Sequence, residues 1–206
     1  MAIDMNLYRP AHLELKIEQC YKQHGIHTPD DLTIDNVSAA FNIELGYYDG
    51  KPFADWDDDI GIVVLNQQDP YIQQKVIFYH EAAHCVLHAG DQHQMHELFK
   101  NLQEAQSARF QYYAAIPYYM IPNVIYGSYD DYVLCLVDIF QLPYSFVRKR
   151  VVQILNRIQQ EQQDRDYINQ TKPKPATYEY SSETKRILNQ LHQQVAERNA
   201  PYHVQH

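Results

Sequence analysis

The stretch Tyr79-His80-Glu81-Ala82-Ala83-His84-Cys85-Val86-Leu87-His88 constrains the chain more than any other, because it reads as a helix built to hold a metal. On an α-helix of about 3.6 residues per turn, His80 and His84 lie about 40° apart in rotation and about 6 Å apart along the axis, so two imidazoles can converge on one ion. Glu81 sits about 100° further round than His80, outside the ligand set but within reach of a water beside the ion. His-Glu-x-x-His is the geometry of a zinc hydrolase. The pattern is short, so the rest of the chain has to supply a third ligand and a fold to carry it.

A chain of 206 residues is enough for one domain of ordinary size plus an appendage. Its hydrophobic content of 45% and charged content of 21% belong to a globular protein. A formal charge of −9 argues against tight non-specific binding to nucleic acid. The start, Met1-Ala2-Ile3-Asp4-Met5-Asn6, has neither the basic region nor the apolar run of a secretory signal, and no stretch reaches the roughly 20 apolar residues of a membrane span. These features predict a cytoplasmic protein with no membrane partner. Cys20, Cys85 and Cys135 are widely spaced, without a Cys-x-x-Cys pair, and read as small buried apolar residues.

Periodicity and punctuation predict a first helix from Pro10 to His24 and a second beginning near Thr33 to Asp35. Phe41 to Tyr48 alternates apolar and polar as a half-buried strand does, whereas Gly61 to Asn66 is more apolar and belongs deeper. Between them Asp55-Trp56-Asp57-Asp58-Asp59 fails the calcium-loop pattern, which needs glycine and glutamate where this chain has Ile60 and Asn66, and reads as a solvated acidic turn. Asp69-Pro70 opens the metal helix, which is predicted to end at Ala89 before Gly90.

The third ligand must come from further along. His88 lies about 12 Å from His80 in axial rise, too far to share one ion with both histidines. The metzincin extension is absent, since Leu87 and Gly90 stand where glycine and histidine are needed. His93 and His96 fall in a polar segment. Glu104 lies within a helix-period run with Leu98, Phe99, Leu102, Ala105, Ala108 and Phe110, and a helix packed antiparallel on the first could turn its carboxylate back toward the two histidines. An exposed helical glutamate is the alternative.

With these residues assembled, the chain resembles the ImmA/IrrE family of metallopeptidases, which combines a His-Glu-x-x-His helix with a downstream Glu-x-Glu-Ala-Asn-x-Phe-Ala segment ending in Met-Pro. The helix motif corresponds to His80-Glu81-Ala82-Ala83-His84 with His88, and the downstream segment to Glu104-Ala105-Gln106-Ser107-Ala108-Arg109-Phe110, followed by Ile116-Pro117. Three positions depart from the pattern: Ala83 replaces glycine, Gln106 an acidic residue, and Ala108 an asparagine or aspartate that could orient a metal-bound histidine from behind. The resemblance implies an α+β fold, a small antiparallel or mixed sheet packed on a zinc-binding helix pair in a zincin-like arrangement, followed by a helix-turn-helix-like region. It implies Zn2+ held by His80, His84 and Glu104, Glu81 as the catalytic base, and a protein substrate, a helix-turn-helix repressor. The alternative is a zincin-shaped regulator that binds or displaces a repressor without cutting it.

Residues 1–120 are then expected to form the metallopeptidase domain, 121–160 the helix-turn-helix-like segment, and 161–206 a linker and a C-terminal helix. Tyrosines crowd residues 111 to 132, and Tyr112 or Tyr113 is a candidate for stabilising an oxyanion. Leu136, Val137, Phe140, Leu142, Val147 and Arg150 match the core and closing arginine of a helix-turn-helix, and Arg148-Lys149-Arg150 offers charges to phosphate. Gln159 to Gln163 and Lys172-Pro173-Lys174-Pro175 read as linker, and Glu183 to Arg198 as a terminal helix.

Overall fold

The computed structural model of the chain describes residues 3–56, 60–87, 96–123, 127–172 and 180–198. They divide into two compact units after Arg165. The first begins with α1 (His12–Gln23), whose Glu14 takes the N–H of Ala11 at 2.7 Å and so closes the helix start. Gly25, at φ +76°, turns the chain out of α1 in the left-handed conformation that favours glycine. A threonine cap at Thr33, accepting from Asn36 N–H at 3.1 Å, starts α2 (Ile34–Ala40).

Three strands follow, β1 (Ile43–Tyr48), β2 (Phe53–Trp56) and β3 (Gly61–Asn66), in the spatial order β1-β3-β2. β1 runs parallel to β3, with Ile43 opposite Gly61 and Tyr48 opposite Asn66, and β2 runs antiparallel, with Phe53 opposite Val64 and Trp56 opposite Gly61. The sheet is therefore mixed, as the α+β reading expects. The most apolar strand is the central one, and its Val63 and Leu65 are fully buried. β2 corrects the acidic-turn reading at its start: Asp55 and Trp56 are strand residues, while positions 57 to 59 lie outside the described residues. A four-residue edge strand with an outward aspartate gives almost no periodic signal, and such charge is how edges avoid unwanted pairing.

Gly61, Val63 and Leu65 share the face that meets the next helix, α3 (Tyr71–Leu87). The approach is close at Gly61, where an added Cβ would come within 2.7 Å of Cys85 Cβ. Gln74 ties strand end to helix start, its Nε2 donating to the carbonyls of Asn66 at 2.9 Å and Asp69 at 3.0 Å. Next come α4 (Glu97–Ala115), α5 (Tyr129–Phe140) and the 28-residue α6 (Tyr144–Thr171). α3 reaches α5 through Lys75, a buried lysine whose Nζ donates to the Phe140 carbonyl at 3.0 Å and whose pKa burial pushes down to about 8.

The two ends of this unit meet in a buried ionic cluster. Arg150 Nη2 lies 2.6 Å from Glu14 Oε1, both side chains almost wholly enclosed, and Arg157 Nη1 approaches Glu14 Oε2 at 3.1 Å. Tyr8 donates its hydroxyl to Glu14 at 2.6 Å, and Arg150 Nε donates to the Ile116 carbonyl just past the end of α4 at 3.3 Å. Arg150 is thus withdrawn from the basic cluster, and only Arg148 and Lys149 of that trio remain at the surface. The helix-turn-helix-like segment is built as expected around Leu136, Phe140, Leu142 and Val147, yet its second helix is far longer than a recognition helix.

The linker reading at Gln159 to Gln163 is also corrected, since α6 runs through it to Thr171, two residues before Pro173. Gln and Glu are good helix formers, so a polar run need not break a helix. The second unit, from Asp166, holds the end of α6 and α7 (Ser182–Arg198), where Ile187, Leu191 and Val195 are exposed. Residues 173 to 179 lie outside the described ones.

Two measurements test this account. Arg150→Met, which strands the buried Glu14 carboxylate, is expected to cost about 3–5 kcal/mol in urea unfolding, and Glu14→Leu in the same chain to recover much of it. Recovery failing to appear would show that the pair is not what holds the ends together. Gly61→Ala should destabilise by about 1–3 kcal/mol, with Cys85→Gly relieving the clash and Cys85→Ala failing to, because the obstructing atom is Cβ.

Candidate metal centre

α3 and α4 pack antiparallel, and three contacts fix the register. Gln111 Nε2 donates to the Val76 carbonyl at 2.7 Å, Ser107 Oγ lies 3.4 Å from His84 Nδ1, and Glu104 reaches both histidines. Ala82 and Ala83 of α3 are without exposure, small side chains enclosed in the core beside the histidines. His96 caps α4, its Nδ1 accepting from Leu98 N–H at 3.3 Å. His88 and His93 lie outside the described residues.

Register brings three donors together. His80 Nε2 and His84 Nε2 are 3.4 Å apart, His80 Nε2 lies 3.4 Å from Glu104 Oε2, and His84 Nε2 lies 3.8 Å from Glu104 Oε1. All three residues offer ligand atoms within 4.8 Å of one another. Tetrahedral ligands at about 2.0–2.1 Å from a metal stand about 3.3–3.4 Å from each other. The two histidine nitrogens already stand at that spacing, and Glu104 turns a different oxygen to each of them, so a rotation of its exposed carboxylate is what one ion asks of the group; the residues fit one. The two rings meet edge to face, and Trp56 of β2 stacks on His84 with ring centroids 6.0 Å apart and planes 21° from parallel.

Burial within the trio is uneven. The His84 side chain is only 7% exposed, His80 31% and Glu104 45%, so the pocket is closed behind His84 and open toward Glu104. Glu81, partly buried beside them, has its carboxyl pushed up, first by burial and also by the Glu104 charge, against the lowering influence of His80 and Lys51. Cys85 is held as a thiol, its pKa raised to about 11 mainly by burial and further by Glu81. It is neither a ligand nor a nucleophile in this state.

The tyrosine candidates fall elsewhere. Tyr112 packs on Phe146 with centroids 4.5 Å apart, and Tyr113 lies under the Arg150 guanidinium at 4.7 Å. Both are about 12 Å or more along α4 from Glu104, so neither is an oxyanion donor in this arrangement. Sequence reasoning missed Trp56 and Ser107. The helix period of α4 places Ser107 on the side of Glu104, a signal present in the spacing but masked by the apolar residue at Ala108.

Two histidines and a glutamate converging from an antiparallel helix pair beside a small mixed sheet define a metallopeptidase-type α+β domain. The chain belongs to the ImmA/IrrE family: the peptidase family model described as the IrrE N-terminal-like domain matches residues 39–152, just over half of its length. It is 28% identical over 197 residues to the phage-like element PBSX protein XkdA of Bacillus subtilis (strain 168), covering 94% of this chain and 96% of that one. It is also 28% identical over 145 residues to the uncharacterized protein YqaB of the same organism, covering 70% and 84%. Among the described residues no helix is long and apolar enough to cross a membrane.

The raised Glu81 carboxyl carries a stability consequence. A carboxyl whose pKa is higher in the folded than in the unfolded chain favours the fold while both are protonated, and that contribution is lost as pH rises from the ordinary carboxylate range through the folded value. Glu81→Gln is therefore expected to raise the melting temperature of chelator-treated protein at pH 7 and to leave it nearly unchanged at pH 4. Equal shifts at both pH values would refute the buried-charge explanation.

Proposed function

We propose that this protein is a zinc-dependent endopeptidase in which His80, His84 and Glu104 hold the ion and Glu81 is the general base. The observation that carries the reading is the convergence of two imidazole nitrogens and one carboxylate, with one ligand atom of each within 4.8 Å of the others. Zinc bound there would polarise the scissile carbonyl and bring the pKa of a water toward about 7. Glu81 takes a proton of the attacking water as the C–O bond forms, and returns it to the amine in the following step as the C–N bond breaks. Its place beside the trio, partly buried and within electrostatic reach of His80 and Glu104, suits it to both steps.

Substrate backbone is expected to pair with a sheet edge. Both sides of β3 are occupied, by β1 and β2, so the Gly61 to Asn66 strand cannot receive it. The edge that suits the role is β2, whose Trp56 stacks on His84. A peptide added there would run beside the donor trio. The substrate class we infer is a helix-turn-helix repressor, supported by family membership and by similarity to a protein named for a phage-like element.

Purified protein incubated with a helix-turn-helix repressor encoded beside its gene is expected to cut it, and Glu81→Gln to slow cleavage by about 10²- to 10⁴-fold while keeping stoichiometric zinc. His84→Ala should lose the metal. Cleavage by Glu81→Gln at the wild-type rate would rule out this mechanism. Repressor displacement without cutting, unaffected by either substitution, would establish the non-catalytic alternative.

A further inference from the structure

We infer that Ser107 is the positioning residue for His84, accepting the Nδ1 proton so that the Nε2 lone pair faces the ion. The inference rests on the metal-centre reading and extends it to a residue beyond the ligands. His84 turns Nε2 toward His80 and Glu104 and its other nitrogen toward Ser107 Oγ, 3.4 Å away. Only one neutral form of the ring ligates through Nε2, the form with its hydrogen on Nδ1. With the His84 side chain 7% exposed and Ser107 without exposure, that hydrogen needs a protein acceptor, and a buried N–H left without one costs about 1–3 kcal/mol.

Ser107 can serve as one. Its hydroxyl oxygen carries lone pairs that can accept the ring N–H. Trp56 covers one ring face, so the serine has only to set rotation and tautomer. This accounts for the departure at Ala108. Where the resemblance led one to look for a polar residue at position 108, the neighbouring Ser107 contacts the imidazole from behind. His80 has no such need, because its ring is open to water.

The test uses the full chain and two readouts. In metal-free protein at pH 8, long-range proton–nitrogen spectra should show His84 as the Nδ1–H form in the wild type, moving toward the Nε2–H form in Ser107→Ala. Zinc affinity, by competition with a chromophoric chelator, should fall about 10- to 100-fold in the same variant. An unchanged tautomer, or zinc affinity within about twofold of wild type, overturns the proposal and leaves the metal centre standing. A wild-type chain that takes up no zinc overturns the metal-centre reading alone if Ser107→Ala still alters the His84 ring form, and overturns both if it does not.

Discussion

The site exists because two helices that cannot form it separately run antiparallel at short range. α3 alone offers two imidazoles and no third donor; α4 alone offers a carboxylate of the kind found on any exposed helix. A register shift of one residue on α4 turns Glu104 about 100° away from the histidines and removes Ser107 from His84 together. Buried alanines on α3, the Gln111 side chain gripping the Val76 carbonyl, and Gly61 admitting Cys85 against the sheet therefore act on one quantity, the relative placement of two helices. Packed interiors resist such sliding because neighbouring side chains have nowhere to move.

Holding α4 in place also requires an anchor at its far end, and the chain uses a buried charge pair for it. Glu14 and Arg150 stand 136 residues apart, and Arg150 also takes the Ile116 carbonyl. A buried ion pair adds little stability over a well-packed apolar one, but a half-pair is severely penalised, so this cluster admits one arrangement of α1, α4 and α6 and few others. The same arrangement decides what the helix-turn-helix-like segment can do. Its closing arginine is consumed in the interior, and its second helix continues for about eight turns instead of ending as a reading head. The segment is thereby tied into the same packed unit as the donor trio.

Much of this was legible in the residues. His80 and His84 at helical spacing, the apolar Gly61 to Asn66 strand, the Asp69-Pro70 helix start and the phase of Glu104 with Phe110 are local signals, and each corresponds to a single element. What escaped was nonlocal or weak. β2 is too short and too polar to alternate visibly, and its existence depends on β3 being present to pair with it. Glu14 reads as an ordinary first-turn acid until a partner 136 residues away removes it from water. The glutamine run after Ile158 has the composition of a linker and the propensity of a helix, and α6, already nucleated from Tyr144, extends through it. Ser107 escaped because Ala108 occupied the position where the relatives' pattern places a polar residue.

Uneven exposure within the trio ties these observations to chemistry. His84 is enclosed, stacked by Trp56 and backed by Ser107, so its direction is set by the protein before anything binds. Glu104, nearly half exposed, lies on the open side of the trio. Glu81 lies between these environments, buried enough to raise its pKa yet near enough to Glu104 for the two charges to oppose each other. A fold optimised only for stability would hold an apolar side chain in place of such a carboxylate. Its presence beside three convergent donor residues marks this place as the candidate site, because perturbed carboxylates gather where chemistry is done rather than where packing is best.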